Sequence, residues 1–415
     1  VRIGVLTYHF PPEPAFLPGS LAEELAARGH EVRVLTGFPH HPGGRIHPGW
    51  RQRWWYETHS ERLTVRRVPR YAADASPRAR LAGQLTFATA AALAGRRFLA
   101  GIDVLHVCQQ PAVTLAAAAL RRALPGVPVV LHVQDIRPRG ELTGEPGGEG
   151  TAAVLRRLLR GADAVAVSAP SMRDLVSAAG ADAPRARLVL PWTDERIFRP
   201  VRPSPAARRL VGGTGRCVVM HADAVGERQR LETAVRAAAA VPDRMDLVLV
   251  GSGADEPRIR GLVADWGVRN VRFVDGASPV AMADLYAAAD YQLVALRDLP
   301  ELRGVVPATL PAAFSCAVPV IAAAAGDTAT MVERARAGLS CPPEDPTALA
   351  DRFWLAAAIG VEARTGMGQR GREAYQRHMS LRAGVDRIEQ MLYDVAAGRA
   401  RRALTPNASH QTPKR

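Results

Sequence analysis

Val1–Tyr8 (VRIGVLTY), His9–Pro14 (HFPPEP), Leu21–Gly29 (LAEELAARG) and Glu31–Thr36 (EVRVLT) follow one another at the start of the chain, and their order decides the fold. The first is a short apolar run, as a strand buried on both faces reads. It breaks into a proline-rich loop. Leu21–Arg28 carries helical spacing and Gly29 closes it as a C-cap, since glycine enters the left-handed conformation without a Cβ penalty. Glu31–Thr36 is the next strand. Strand, loop, helix and strand in this order form a right-handed parallel unit.

The alternation continues. A helix is predicted near Arg78–Leu99, a strand at Asp103–Val107, a helix at Ala112–Leu124 and a strand at Val127–Val133. A helix at Ala152–Arg160, a strand at Ala164–Val167, a helix at Ser171–Ala179 and a strand at Arg187–Leu190 complete the first series. Arg199–Pro205 (RPVRPSP) is stiff with proline and has no periodicity, which marks a linker. The pattern then restarts with strands at Cys217–His221, Asp246–Val250, Val271–Val274, Tyr291–Val294 and Val318–Ala322, and a final helix near Leu381–Ala397. The expected class is α/β with two Rossmann-like doubly wound domains facing a cleft. Their bounds are 1–198 and 206–378, joined by the linker at 199–205. A C-terminal helix over 379–398 is expected to pack back toward the first domain, and the polar 399–415 to be disordered. Open α/β sheets bind ligands at the carboxyl ends of their strands, so the expected site lies between the domains.

Composition narrows the function classes. The 415 residues carry 54 Lys+Arg against 40 Asp+Glu, a formal charge of +14. That charge invites a nucleic-acid reading, but the basic residues are spread out and not interleaved with aromatics. All of them but Lys414 are arginine, which fits a GC-rich coding bias, so no nucleic-acid partner is expected. At most peripheral contact with an anionic membrane or substrate is. No apolar run approaches the ~18 residues that span a bilayer. Val1 opens directly into a strand, so no signal peptide is expected and the location reads as cytoplasmic. Cys108, Cys217, Cys316 and Cys341 form no CxxC pair and read as buried thiols in a reducing compartment. His40, His41 and His47 match no metal-site spacing, and no metal is expected.

A collinear series of segments resembles family 4 of the glycosyltransferases, in the bacterial branch that builds colanic-acid-type and O-antigen polysaccharides. In the first half these are HFPPEP (9–14), LAARGHEVRVLTGFPHHP (25–42), GGRIHPGW (43–50) and VLHVQDIRP (130–138). The second half adds LPWTDERIFRP (190–200), QRLETAVRAA (229–238), LVLVGSG (247–253), VRNVRFVDG (268–276), LYAAADYQLVALRD (285–298), RGVVP (303–307), AVPVIAA (317–323) and AGLSCPPEDPTALAD (337–351). The resemblance implies the GT-B architecture and transfer of a sugar from a nucleoside diphosphate, with retention at the anomeric carbon and without a bound metal. The first domain would hold the acceptor and the second the nucleotide. No permanently bound cofactor is implied; a GDP- or UDP-sugar is the co-substrate.

A diphosphate leaving group needs cations and N–H donors aimed at its oxygens, and without a metal arginine and helix N-termini supply them. Gly226-Glu227-Arg228-Gln229-Arg230 is one candidate stretch. The branch resembles GNxGKxQGL here; Gly226 and Gln229 match, whereas Asp223 and Arg230 replace glycines and Glu227 replaces the basic residue. Arg228 or Arg230 is left for the phosphate. The second stretch is Arg303, Gly304, Val305 and Val306 with Pro307 and Thr309, against RGVxPSKL in the branch. Thr309 stands where the family has lysine, a loss of charge that arginine-rich coding does not explain. Gly304 and Ala312 occupy the two positions where many members carry glutamates, the second gripping the ribose. Gly251, Val274 and Leu310 are the nucleoside-side candidates.

On the acceptor side, Asp135 matches a family carboxylate and is a catalytic candidate, with His106 read as ending its strand within reach of the sugar. Arg137 and Arg139 replace an acidic position and suggest an acceptor bearing a carboxylate or phosphate. Phe16, in a loop over Pro14–Pro18, would meet an apolar acceptor or narrow the site. The leading function is a retaining glycosyltransferase of polysaccharide or secondary-metabolite (antibiotic) biosynthesis, with a thiol as one conceivable acceptor. A non-catalytic glycan- or partner-binding relative and a nucleotide-sugar epimerase are the competitors. Sugar, base, acceptor and oligomeric state are left open by the residues.

Overall fold

The structure, a computed structural model, describes residues 1–404 apart from 42, 73–75, 110, 135–148, 182–184, 213–214 and 276–278. Its contacts divide into two units. The first comprises 1–168, 172–189 and 385 onward; the second comprises 169–171 and 190–384.

The sheet of the first unit has eight strands: β1 (Arg2–Leu6), β2 (Glu31–Gly37), β3 (Tyr56–His59), β4 (Leu63–Val68), β5 (Val104–Gln109), β6 (Val129–Val133), β7 (Ala164–Val167) and β8 (Ala186–Leu188). They run in the order β3-β4-β2-β1-β5-β6-β7-β8. All neighbours are parallel except the β3–β4 hairpin. Val5, Leu6, Val34, Leu35, Val104, Leu105 and Val130 are at most 1% exposed, which is why these strands read as continuous apolar runs. β3 and β4 carry no such signal. YETH is almost wholly solvent-facing and LTVRRV contains two arginines, so the hairpin escapes the periodicity.

Between the strands lie α1 (Phe16–Ala27), α2 (Pro77–Phe98), α3 (Pro111–Ala123), α4 (Glu149–Gly161) and α5 (Met172–Ala178). The start of α1 corrects the sequence reading: Phe16 and Leu17 belong to its first turn and not to a loop. Pro18 allows this, because the first turn of a helix has no internal partner for its N–H groups and loses nothing to a proline. Ser76 caps α2, its hydroxyl accepting from Ala79 N at 3.2 Å.

The second unit is a six-stranded, wholly parallel sheet. Its strands are β9 (Cys217–Ala222), β10 (Met245–Val250), β11 (Val271–Val274), β12 (Tyr291–Ala295), β13 (Val320–Ala323) and β14 (Gly338–Cys341). Their order is β11-β10-β9-β12-β13-β14, a doubly wound arrangement reversing beside β9. The connecting helices are α6 (Pro205–Val211), α7 (Glu232–Ala239), α8 (Glu256–Asp265), α9 (Pro279–Ala288), α10 (Thr309–Ser315), α11 (Asp327–Ala335), α12 (Pro346–Ala358) and α13 (Val361–His378). The last helix, α14 (Leu381–Leu404), belongs to the first unit from Val385 onward. There Arg28 bridges Asp386 and Glu389, each at 2.7 Å, and His30 Nε2 meets Glu389 at 2.7 Å. No helix among the described residues is long and apolar enough to cross a membrane. All four cysteines are free and buried; burial pushes the Cys108 thiol up to about 12, so it is not a nucleophile at neutral pH.

Candidate functional site

In the second unit, five loops at the carboxyl ends of the parallel strands interlock. Beyond β9, the 223–230 turn is pinned against the loop after β10. Val225 N donates to Ser252 O at 3.1 Å, and Asp255 N donates to Val225 O at 3.1 Å. Here glycine is sterically required. Gly251 has φ +131°, and a Cβ on it would lie 2.3 Å from Asp223 O; one on Gly253 would lie 2.2 Å from Val225 O. The same turn reaches the loop after β12. Arg297 N donates to Arg228 O at 2.9 Å and its guanidinium to Glu227 at 2.6 Å. The loop after β14 joins through Glu344, which accepts from Asp298 N at 2.8 Å and lies 3.6 Å from Arg230 Nε. Finally Asp327 N donates to Arg303 O at 2.8 Å, where Gly326 (φ +75°) leaves no room for a side chain.

This network brings Gly226, Arg228, Gln229 and Arg230 into one assembly with Arg303 and Gly304, two stretches more than 70 residues apart in sequence. Arg228 is exposed, and no ion pair of its guanidinium occurs among the described residues. Arg303 is also exposed and pairs with Asp298 at 3.0 Å. Arg230 has φ +47°, a left-handed conformation at the position where the resembling branch has glycine. Val305 and Val306 are half-buried; Thr309 and Leu310 are buried at the start of α10, with Ala312 one turn on. Gly251 N donates to Val274 O at 3.4 Å, which places those two nucleoside-side candidates together at the end of β10 and β11.

The first unit holds a second cluster, centred on Glu13 in the loop after β1. Its carboxylate is 0% exposed. Oε1 accepts from His40 N at 3.0 Å, His41 N at 2.9 Å and Arg70 Nη2 at 3.0 Å, while Phe10 N reaches Oε2 at 3.3 Å. His9 Nδ1 and His40 Nδ1 each lie 3.1 Å from Oε1. Burial alone would raise the Glu13 pKa, but the hydrogen bonds from His40 and His9 and the nearby Arg70 charge outweigh it and hold the carboxyl well below the usual range. Burial lowers the Arg70 pKa against the pull of Glu13, and its guanidinium lies 4.2 Å from the Tyr8 ring centroid. His9, Glu13 and His40 bring three possible metal-ligand atoms within 4.8 Å. The donor set does not suit a cation, however. Glu13 Oε1 is already engaged by several N–H donors, and the Arg70 guanidinium already supplies the positive charge. The cluster ties the loop after β1 to the loop after β2 and to the end of β4.

Sequence reasoning missed Glu13 and Arg70. The conjunction of HFPPEP with GFPHHP was visible, but Arg70 follows a hairpin that was not read. His106 requires a correction. It does not end its strand: β5 runs on to Gln109, and the imidazole is 0% exposed, 5.5 Å from the His132 ring. Burial pushes the His106 pKa down to about 3, with His132 adding to the effect, and burial takes His132 to about 4. A neutral, enclosed ring at this position is packed inside the sheet's core. Phe16, half-buried in the first turn of α1, lies on the helix that follows the Glu13 loop. Asp135, Arg137 and Arg139 lie outside the described residues.

Comparison with known proteins yields a consistent set of matches. Residues 18–192 match the family described as "Glycosyl transferase 4-like domain" and residues 216–355 that described as "Glycosyl transferases group 1". A D-inositol 3-phosphate glycosyltransferase of Acidothermus cellulolyticus is 30% identical over 358 residues, 79% of this chain and 73% of the relative. The Escherichia coli K12 protein named as a colanic acid biosynthesis glycosyl transferase is 26% identical over 313 residues, 71% of this chain and 74% of the relative. Among solved structures, sucrose-phosphate synthase from Thermosynechococcus elongatus superposes with a TM-score of 0.75 at 22% identity, covering 96% of this chain and 99% of that one. The Anabaena protein HepE in complex with UDP gives 0.70 at 17% identity, covering 95% and 100%. These last two likenesses speak to the fold.

Proposed function

The chain belongs to family 4 of the glycosyltransferases, and from that premise we propose that it moves a sugar from a UDP- or GDP-sugar to an acceptor, with retention and without metal, in polysaccharide or secondary-metabolite biosynthesis. The donor diphosphate is assigned to the loop network of the second unit. The observation that carries this is the convergence of Arg228, Arg230 and Arg303 on one set of strand ends, around Gly226, Gly251, Gly304 and Gly326. Guanidiniums pair with phosphate in fixed, bidentate geometry, and close-set glycine loops let backbone approach a ligand. The UDP bound to HepE, a structural neighbour, favours a uracil nucleotide as the first donor to try.

In the proposed reaction the bond from the anomeric carbon to the β-phosphate oxygen breaks, and a bond to the acceptor heteroatom forms on the same face. The departing phosphate oxygen takes the acceptor proton, so no strong enzymic base is needed. The arginines stabilise the charge that builds on the leaving diphosphate. Val274, Gly251 and Leu310 are assigned to the nucleoside side, and Gln229, Val305, Val306 and Thr309 to the edge of the sugar and diphosphate. Asp135 is kept as the catalytic carboxylate, and Phe16, Arg137 and Arg139 are assigned to the acceptor, for which the two arginines favour an anionic group. Thermal unfolding with UDP, GDP, ADP and dTDP in EDTA tests the assignment. A nucleotide that binds only the folded chain raises its stability with concentration. A shift with one of these nucleotides in the absence of metal is the expected outcome. No shift with any of them would move the chain to a non-catalytic, glycan- or partner-binding role.

A further inference from the structure

In the first unit, α2 carries an outer face unlike that of an ordinary surface helix. Its 22 residues, PRARLAGQLTFATAAALAGRRF, contain four arginines and no carboxylate. The inner face is well buried, with Phe87 and Ala91 at 0% exposure and Phe98 at 7%. Opposite it, Leu81, Leu85 and Leu93 stand out at 51%, 48% and 61%. At 3.6 residues per turn these three leucines fall within an arc of roughly 120° that also contains Arg78 and Arg96, along about 18 Å of helix. Arg78, Arg80, Arg96 and Arg97 are all exposed, two at each end.

A second exposed stretch lies at the sheet edge on the flank of α2. Arg66 on β4 donates to Ala94 O at 3.1 Å, and its guanidinium lies 4.3 Å from the Phe98 ring centroid and 5.6 Å from that of Trp55. Trp55, 50% exposed, stands beside that guanidinium near the C-terminal end of α2. Residues 51–56, RQRWWY, are exposed throughout. Tyr71, 54% exposed, is tied to the middle of α2 by its N–H to Thr86 Oγ1 at 2.9 Å. Glu57, on β3, is held by Arg66.

We propose that this face of the first unit lies on an anionic lipid bilayer, with the α2 leucines and Trp55 entering the interfacial layer and the flanking arginines meeting headgroup phosphates. An apolar ridge costs solvation in water and is ordinarily broken by mixed charge. Here every charge on the helix is positive, which complements a negative surface and repels a basic one. Apolar residues on one face of a helix with arginine on the same surface suit the boundary between headgroup and acyl chain, and tryptophan prefers that depth. The contact is independent of the donor site, which lies wholly in residues of the other unit.

Flotation of the full chain with vesicles of phosphatidylcholine alone, or mixed equally with phosphatidylglycerol, tests this directly. Binding at least tenfold stronger to the mixed vesicles, weakened by high salt, is expected. Each arginine near the surface contributes roughly a fivefold factor, so Arg78→Gln/Arg96→Gln should weaken partitioning about 25-fold. Leu81→Gln/Leu93→Gln should weaken it at least tenfold, and Trp55→Ala less. All these positions are exposed, so the melting temperature and its shift with nucleotide should stay as in the parent chain. Absence of binding, equal binding to both vesicles, or variants that float like the parent would each overturn the proposal. The lipid comparison on the unaltered chain decides the matter even if a variant folds poorly.

Discussion

Arg230 gives the sharpest energetic test, because its backbone and its side chain make opposite demands. With φ +47° it sits in the left-handed region, which costs an L-residue about 1–2 kcal/mol. Replacing it by glycine relieves that strain but adds back about 0.5–1 kcal/mol of unfolded-state entropy. It also removes the contact with Glu344, at 3.6 Å and partly exposed on both sides, for which about 0.5 kcal/mol is generous after solvent screening. Arg230→Gly should therefore lie between about 0.5 kcal/mol less stable and about 1 kcal/mol more stable than the parent. Arg230→Ala keeps the strain and loses the contact, so it should fall about 0.5 kcal/mol below the parent. The order is the reverse of the usual preference for alanine over glycine. Over a cooperative unit of this size, a gap of about 1 kcal/mol corresponds to roughly 2–4 °C in calorimetry. Alanine equal to or more stable than glycine would refute the backbone argument. Nucleotide affinity is a separate readout: if both variants bind UDP as the parent does, Arg230 leaves the donor site and Arg228 and Arg303 remain.

Gly251→Ala should cost about 2–4 kcal/mol, since its Cβ would strike the Asp223 carbonyl and the residue would hold φ +131°; denaturant melts measure the loss, and nucleotide binding should fall with it. Arg303→Ala, exposed and only half committed to Asp298, should weaken nucleoside diphosphate binding by about 1.5–3 kcal/mol, and unchanged affinity in titration calorimetry would remove it from the site. Glu13→Gln leaves Arg70 buried beside a neutral partner and should cost about 3–5 kcal/mol in equilibrium unfolding. The pH profile follows from groups whose folded pKa values are depressed. Glu13 contributes stability that is fully present above its unfolded pKa and fades as pH falls below it. His106 and His132, at about 3 and about 4 when folded, stay neutral while the unfolded chain takes up protons below about 6.5, so they too lose stability on acidification. At pH 5 the His106 share is about 2 kcal/mol, and His106→Leu should flatten the fall between pH 7 and 5 by that amount.

What the sequence made legible is what local patterning can carry. Runs such as LVLV (247–250) and YQLVA (291–295) are buried on both faces of a parallel sheet, so composition alone marks them as strands. The edge hairpin of β3 and β4 was invisible for the opposite reason: it is polar, and Arg66 and Arg67 earn their places through tertiary contacts with Ala94, Phe98 and Pro11. Phe16 was placed in a loop over Pro14–Pro18, whereas Pro18 is tolerated in the first turn of α1. His106 was misread because β5 continues two residues past Val107, moving the ring into the interior. Among the donor-site candidates, Gly226, Gln229, Arg303 and Gly304 could be named from their motifs. Their linkage through Arg297, Asp298 and Glu344 depends on residues that only the folded chain brings together. The Glu13–Arg70 pair has the same character, its partners standing 57 positions apart in sequence.

The most direct test of the account is turnover of the donor. UDP- and GDP-hexoses, supplied in EDTA with candidate anionic hydroxyl or thiol acceptors, should give saturable release of nucleoside diphosphate from one nucleotide class, with the sugar appearing on the acceptor in retained configuration. Release abolished or strongly reduced in Arg228→Ala and Arg303→Ala would place the chemistry at the second unit's loop network. Isomerised sugar still attached to its nucleotide, or no release from any donor despite a folded chain, would contradict a transferase.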